Sequence, residues 1–189
     1  MEIIKVRITG NRPLLMHSDK FADPLHPATK AHKELTGKRK KTDEDHEAIA
    51  KSEWAGGMYR TDDLGPCIPD KVIEGALYES AKLRRLGKVF KRAIEVVEPE
   101  AAVEYKGPRD LEGMWAAGMY DARSVKVTTS RLMRYRPIFK QWACQFTIMY
   151  DPALINRSEV KQMLEEAGMY CGIGDYRPKF GRFDVEEVK

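Results

Sequence analysis

Two stretches near opposite ends of the chain alternate with a period of two, and together they dictate a sheet. In residues 2–9, Ile4, Val6 and Ile8 fall on one side, with Ile3, Lys5, Arg7 and Thr9 on the other. In residues 142–150, Trp142, Cys144, Phe146, Ile148 and Tyr150 alternate against Gln145 and Thr147. Successive strand side chains point to opposite faces, so each stretch reads as a strand with one buried side. Two helical patterns go with them. Pro69-Asp70 opens the first, with Val72, Ile73, Ala76, Leu77, Ser80 and Leu83 on one face and Gly87 as its stop. Asn156 caps the second, with Glu159 three residues on in the capping-box position. Val160, Met163, Leu164, Ala167 and Cys171 make its apolar stripe, and Gly172 ends it. Residues 124–136, rich in Val, Thr and Tyr, read as a further strand, joined to 142–150 through a connection at Arg136–Gln141. Phe183 and Val185 mark a last one. The order β, α, β, β, α, β predicts an α+β, ferredoxin-like fold: a four-stranded antiparallel sheet with two helices on one face.

Long insertions flank the first helix of this single domain 1–189, at about 11–69 and 88–122. The first holds all four histidines, His17, His26, His32 and His46. Pro24 and Pro27 break its early part, and Lys38-Arg39-Lys40-Lys41 follows as a basic cluster. Thr42 then reads as the N-cap of a short helix with acids in its first turn, ending near Trp54. The second insertion carries short β-like pieces at 93–97 and 101–105, a turn at Gly107-Pro108, and Met114-Trp115 as an apolar anchor.

Composition narrows the setting. The chain has 189 residues, 42% of them hydrophobic, enough for a packed core. Three scattered cysteines, Cys67, Cys144 and Cys171, argue for a reducing compartment and against a disulfide frame or a four-cysteine zinc site. No apolar run reaches the length of a membrane span, and the N-terminus lacks a signal-peptide core. These features predict a cytoplasmic protein with no membrane partner. A net charge of +4 is mild, so distribution matters more than total.

Charge concentrates in two places. From Ala122 to Tyr150 there is no acid, while Arg123, Lys126, Arg131, Arg134, Arg136 and Lys140 fall inside. A hairpin of one sign is an electrostatic feature in its own right, read here as a surface for an anion rather than as internal ion pairing. The segment Gly172–Phe183 places three glycines (Gly172, Gly174, Gly181) among Tyr176, Arg177, Lys179, Phe180 and Arg182. It follows a helix and precedes a strand. A dinucleotide-type phosphate loop has the opposite order, so anion binding at a helix N-terminus is excluded. What remains is a basic loop whose backbone can approach a partner closely, with planar cations and rings that suit a nucleic-acid strand. A helix C-cap with a packed turn accounts for the same glycines.

Three segments resemble the RAMP superfamily, the repeat-associated proteins of CRISPR systems. Ile8-Thr9-Gly10-Asn11-Arg12-Pro13-Leu14-Leu15 is similar to that family's first strand and the Pro-Leu after it. Ile68-Pro69-Asp70-Lys71-Val72-Ile73-Glu74-Gly75-Ala76-Leu77 resembles its approach to the first helix, with Asp70 where the family has glycine. Gly172–Phe183 resembles its C-terminal glycine-rich loop. Small bacteriophage-borne relatives share stretches like Gly37–Thr42, Glu44–His46 and Trp54, and Tyr176–Phe183. The nearest subgroup is that of the backbone subunits lining a guide RNA.

The resemblance implies a non-catalytic binder of single-stranded nucleic acid, RNA before DNA. The implied surface comprises Lys38, Arg39 and Lys40 of the insertion, Arg123, Lys126, Arg134 and Arg136 of the hairpin, and Gly172, Gly174, Tyr176, Arg177, Lys179, Gly181 and Arg182 of the loop. Phosphate contacts of that kind bind without sequence preference and weaken with salt. Self-association and membership of an RNA-guided complex both remain open as partners. Two other functions stand beside it. Some family members cleave RNA with a histidine or an aspartate beyond the first strand, and His17, Asp19 and Asp23 occupy the matching region; a histidine there could act as general acid or base. A protein that mimics or blocks a host RNA-guided complex would keep the same surface. His17, His26 and His32 match no zinc-ligand spacing, so neither metal nor cofactor is expected.

Overall fold

The structure, a computed structural model, describes residues 1–188. The chain forms two compact units. The first is built from Met1–Leu14, Arg60–Lys106 and the stretch from Phe139 onward; the second from Leu15–Tyr59 and Gly107–Ile138.

In the first unit the strands are β1 (Glu2–Gly10), β3 (Arg60–Thr61), β4 (Gly65–Pro69), β5 (Ile94–Val96), β6 (Glu100–Ala102), β7 (Glu104–Tyr105), β10 (Trp142–Tyr150) and β11 (Phe183–Glu187). Its helices are α3 (Asp70–Leu83), α4 (Gly87–Ala93) and α6 (Arg157–Glu166). The main sheet runs in the order β11, β1, β10, β5, with β7 also pairing β10. Its register sets Ile4 opposite Ile148, Val6 opposite Phe146 and Ile8 opposite Cys144, all antiparallel. One face is thereby apolar, and Ile4, Val6, Ile8, Phe146, Ile148 and Tyr150 are all buried. Each such side chain contributes roughly 1.5–3 kcal/mol of transfer free energy.

The strand on the far side of β10 is β5, not residues 124–136. Ile94-Glu95-Val96 falls in the β-like piece expected at 93–97, whereas 124–136 turns back on itself at Thr128-Thr129 and pairs Ser124 with Met133, so it is not a single strand. Helices α3 and α6 pack side by side: the buried Ser80 Oγ donates to the Met163 carbonyl at 2.8 Å. Asn156 and Glu159 form the expected capping box of α6. Helix α3 stops at Leu83, before Gly87, because Arg85 takes the left-handed turn position at φ 60°. Gly87 instead begins α4.

The opposite face of this sheet is not basic. Lys5 and Arg7 stand among Glu95, Glu104, Asp184 and Glu186, and Arg7 is gripped by Glu104 at 2.7 and 2.6 Å. That bidentate pair holds the Glu104 carboxyl below its ordinary range. Glu98 accepts from both the amide and the hydroxyl of Thr147, at 2.6 and 2.7 Å. A phosphate chain laid across this face would meet more carboxylates than cations.

The second unit carries α1 (Pro27–Thr36), α2 (Asp43–Gly56), α5 (Leu111–Ala116), β8 (Tyr120–Val127) and β9 (Ser130–Phe139). The short β2 (Leu14–Leu15) lies next to β9. Pro27, read from sequence as a breaker, is the first residue of α1, with the His26 ring accepting from the Ala28 amide at 3.1 Å. A missing N–H costs nothing at that position. Thr42 caps α2 as expected, with Asp45 completing a capping box. Trp54 is fully buried, donates its indole N–H to the Met119 carbonyl at 2.9 Å, and meets Trp115 edge-on at 5.5 Å. Trp115 in turn stacks on Tyr120 at 4.6 Å.

His32 stacks on Phe21 at 4.8 Å and lies 3.1 Å from the Ser52 hydroxyl through Nδ1. Burial pushes its pKa below the ordinary imidazole value. The unfolded chain therefore takes up the proton more readily than the folded one. Stability from neutral His32 is complete above about pH 6.5 and is lost as pH falls from there through the folded pKa. Thermal melts stepped from pH 7.5 down to 5 are expected to show a declining midpoint that His32→Gln flattens; parallel curves for the two proteins would refute this.

Candidate nucleic-acid interface

After α6 the chain makes one wide π turn, Ala167–Cys171, and Gly172 stops it with φ 70°. The loop that follows closes on itself. The Ile173 amide donates to Gly181 O at 2.9 Å, and the Gly181 amide donates to Pro13 O at 2.8 Å. Arg182 O then accepts from the amides of Asn11 and Arg12. A Cβ on Gly172 would lie 2.8 Å from Phe180 O, and one on Gly181, at φ 71°, would lie 1.7 Å from Ile173 O. These two glycines thus serve the closure of the loop itself, the packed-turn reading, before any approach of a ligand. Gly174 is also left-handed, at φ 80°.

What the closed base pushes outward is the tip. Tyr176, Arg177, Pro178 and Lys179 are all exposed, with Tyr176 at 50%. The Phe180 ring, half-buried, lies 5.8 Å from that of Tyr176, and Lys179 Nζ stands 5.9 Å from the Tyr176 centroid. Arg182 is half-buried below. It lines an open cleft of about 530 Å³ with Asn11, Arg12, Glu165, Met169 and Asp184. Its Nε is buried with no hydrogen-bond partner among the described residues.

In the second unit β8 and β9 form a ribbon joined by a tight turn at Thr128-Thr129. The hairpin is therefore 120–139 rather than 124–150, and it includes Asp121, because the 142–150 strand is committed to β1. Register places Arg123 opposite Arg134, Asp121 opposite Arg136, and Lys126 opposite Arg131. At the root, acids do intervene. Asp121 grips Arg123 at 2.5 and 2.6 Å, and Glu53, distant in sequence, holds Arg134 at 2.5 Å. The expectation that these cations stand clear of acids fails at those two. Arg136 is half-buried. Towards the tip the character changes: Lys126 and Arg131 face one another, exposed, and Leu132 and Met133 are about half exposed (46% and 52%). Like charges placed directly opposite are unfavourable without a counter-charge.

The insertion lysines divide in the same way. Lys38 is paired to Asp45 at 2.5 Å, while Arg39 and Lys40 are exposed with no ion pair among the described residues. Of the residues considered for cleavage, His17 is exposed and its carbonyl accepts from Tyr59 Oη at 3.1 Å. Asp19 begins a short 3-10 turn, Asp19–Ala22, and Asp23 closes a turn by accepting from the Leu25 amide at 2.8 Å. Asp23 is thus occupied as a turn cap, and His26, a cap too, is separated from His32, which packs on Phe21.

One basic feature escaped the sequence reading. Between Glu79 and Glu95 the chain has no acid, and Lys82, Arg84, Arg85, Lys88, Lys91 and Arg92 fall there. A charge count in a short window finds it, because the run straddles the end of α3 and the start of α4.

Among the described residues no helix is long and apolar enough to cross a membrane. No family model matches the chain, and no curated protein matches it. Among solved structures it is similar to a chain in the cryo-EM structure of the Type III-B Cmr-beta bound to cognate target RNA, at 12% identity and a TM-score of 0.48. That likeness covers 99% of this chain but spans only 60% of the other. A likeness of that size decides nothing about function.

Proposed function

We propose that the chain binds single-stranded nucleic acid without cleaving it, RNA in preference to DNA, as a relative of the RAMP superfamily. On this reading the first unit is a ferredoxin-like βαββαβ frame with α3 and α6 on one face of the sheet. The sheet order β11, β1, β10, β5 supports the frame. The observation that carries the function is the tip of the glycine loop: a half-exposed Tyr176 ring with Lys179 Nζ 5.9 Å from its centroid and the exposed Arg177 next in sequence, neither cation in an ion pair among the described residues. A ring plus flanking cations accommodates any base and any phosphate. The exposed Lys126 and Arg131 of the ribbon supply further phosphate contacts. The three RAMP-like segments, not any group aimed at a 2′-hydroxyl, support RNA over DNA.

The test is binding of labelled single-stranded RNA and DNA across a salt series, with a Tyr176→Ala/Arg177→Ala/Lys179→Ala variant. Removing two phosphate contacts lowers the salt slope by about 1.4. Losing one stacked base costs about 1–3 kcal/mol. RNA is expected to remain intact with both wild type and His17→Ala. A wild type that fails to bind at low salt, or a tip variant indistinguishable from it, would overturn the reading. RNA cut by wild type but not by His17→Ala would replace it with an endonuclease.

A further inference from the structure

The corner between α3 and α4 carries the six cations of residues 80–94, and they fall into two groups. Lys82 is tied to Glu79 within α3 at 2.7 Å, and the Arg84 guanidinium grips Glu166 of α6 at 2.7 and 2.5 Å, so these two cations are already paired. Arg85, Lys88, Lys91 and Arg92 are exposed and have no ion pair among the described residues. We propose that this corner is a second phosphate-binding surface, which holds the backbone of a nucleic-acid strand through charge alone. It rests on the nucleic-acid reading above but uses residues remote in sequence from the glycine loop and the ribbon.

Three observations carry it. The first is the conformation of Arg85. The Arg85 amide bonds to Lys82 O at 3.0 Å and the Leu86 amide to Ala81 O at 2.8 Å, the double closure of a helix C-terminus that ordinarily has glycine at the left-handed position. Here an arginine takes it, at φ 60°. A bulky residue in that region is strained where glycine would not be, and the arginine kept there is exposed at the corner.

The second is Tyr78. Lys82 Nζ and Lys91 Nζ lie 5.2 and 4.9 Å from its ring centroid, and Phe90 flanks it at 5.8 Å. Tyr78 is half-buried, and its ring acts as a post that spaces the two lysines. Cations spaced in this way suit phosphates.

The third decides between a nucleic acid and an acidic protein. Protein partners are held mainly by apolar or aromatic anchors seated in pockets. Tyr78, Phe90, Lys91 and Ile94 line an open cleft of about 350 Å³ beside the corner, but Arg85, Lys88 and Arg92 lie outside that lining, and the exposed large apolar side chain near them is Leu83, so these three offer charge alone. A phosphate chain needs no more than that.

The experiment uses the full chain and labelled single-stranded RNA across a salt series. Arg85→Ala/Lys88→Ala/Arg92→Ala is expected to melt with wild type, to lower the salt slope by about 2, and to weaken binding at least about tenfold at 0.1 M salt. Arg85→Lys/Arg92→Lys should keep both slope and affinity. Arg85→Gly separates function from structure: its melting temperature should rise while its affinity falls. If the triple variant keeps the wild-type slope while the loop-tip variant loses affinity, the corner has no phosphate role, and the proposed function stands without it. If wild type binds no oligonucleotide, both fall. A labelled polyglutamate peptide that binds wild type but not the triple variant would assign the corner to an acidic protein and overturn the proposal.

Discussion

Gly181→Ala should unfold the first unit at temperatures where the wild type is intact. The added Cβ would sit 1.7 Å from the Ile173 carbonyl oxygen, 2.8 Å from its carbonyl carbon and 3.0 Å from its amide nitrogen, at a residue held at φ 71°. Both the clash and the dihedral oppose it, and the obstructing atoms are backbone, which cannot rotate aside. Relief would require breaking the Ile173–Gly181 and Gly181–Pro13 hydrogen bonds that hold the loop to the turn after β1. A cost of about 4 kcal/mol or more is expected. That lowers the melting temperature by about 15 °C for a unit of this size. Gly75→Ala is the internal control: it lies within α3, nothing stands within 4 Å of its Cβ position, and it should stabilise by roughly 0.5–1 kcal/mol. If Gly181→Ala melts within a few degrees of wild type, the closed-loop description is wrong. The result also governs how binding data are read. Lost RNA affinity in a Gly181 variant reports lost shape, so the exposed tip residues are the informative substitutions.

Trp54→Ala should be the most damaging truncation in the second unit. The side chain is fully buried, and removing a ring of that size costs about 3–5 kcal/mol. It also strands the Met119 carbonyl that accepted the indole N–H, adding about 1–3 kcal/mol if no water replaces it. Trp54→Phe keeps most of the ring volume and loses the bond, so an intermediate loss of about 1–2 kcal/mol is expected. Urea unfolding followed by the fluorescence of the remaining tryptophans measures both. Equal midpoints for the Ala and Phe variants would mean that packing contributes little and the hydrogen bond nearly everything.

The sequence made the framework legible where a residue's role is local. Alternation found β1 and β10, and the Thr42 and Asn156 caps located α2 and α6, because caps and periods act over a few residues. It failed where a distant partner decides. Glu53 neutralises Arg134 from 81 residues away, so the hairpin cations looked freer than they are. Residues 93–97 read as β-like and β5 lies there, but its place at the edge of the main sheet is set by β10, which is distant in sequence. Pro27, which reads as a breaker, instead opens α1, because a missing N–H does both equally well. The glycines of residues 172–181 were recognised as a feature, but only the facing carbonyls show that two of them close the loop. As for the candidate interface, the tip residues could be named from sequence. Which cations are already spoken for could not.

The pairing of β1 with β10 has a consequence for how the chain comes into being. Glu2 and Tyr150, hydrogen-bonded to one another at the ends of those strands, are separated by 148 residues. At a synthesis rate of about 5–20 residues per second, the first strand waits roughly 7–30 s for its partner. Its other neighbour, β11, is made later still. Throughout that interval Ile4, Val6 and Ile8 have no sheet to enter, and both edges of the strand are open to pairing with another nascent chain. The β8–β9 ribbon, whose strands are adjacent in sequence, can close long before. Strand β1, made before both of its partners and among the last to be satisfied, is therefore where this protein most needs protection while it is being made.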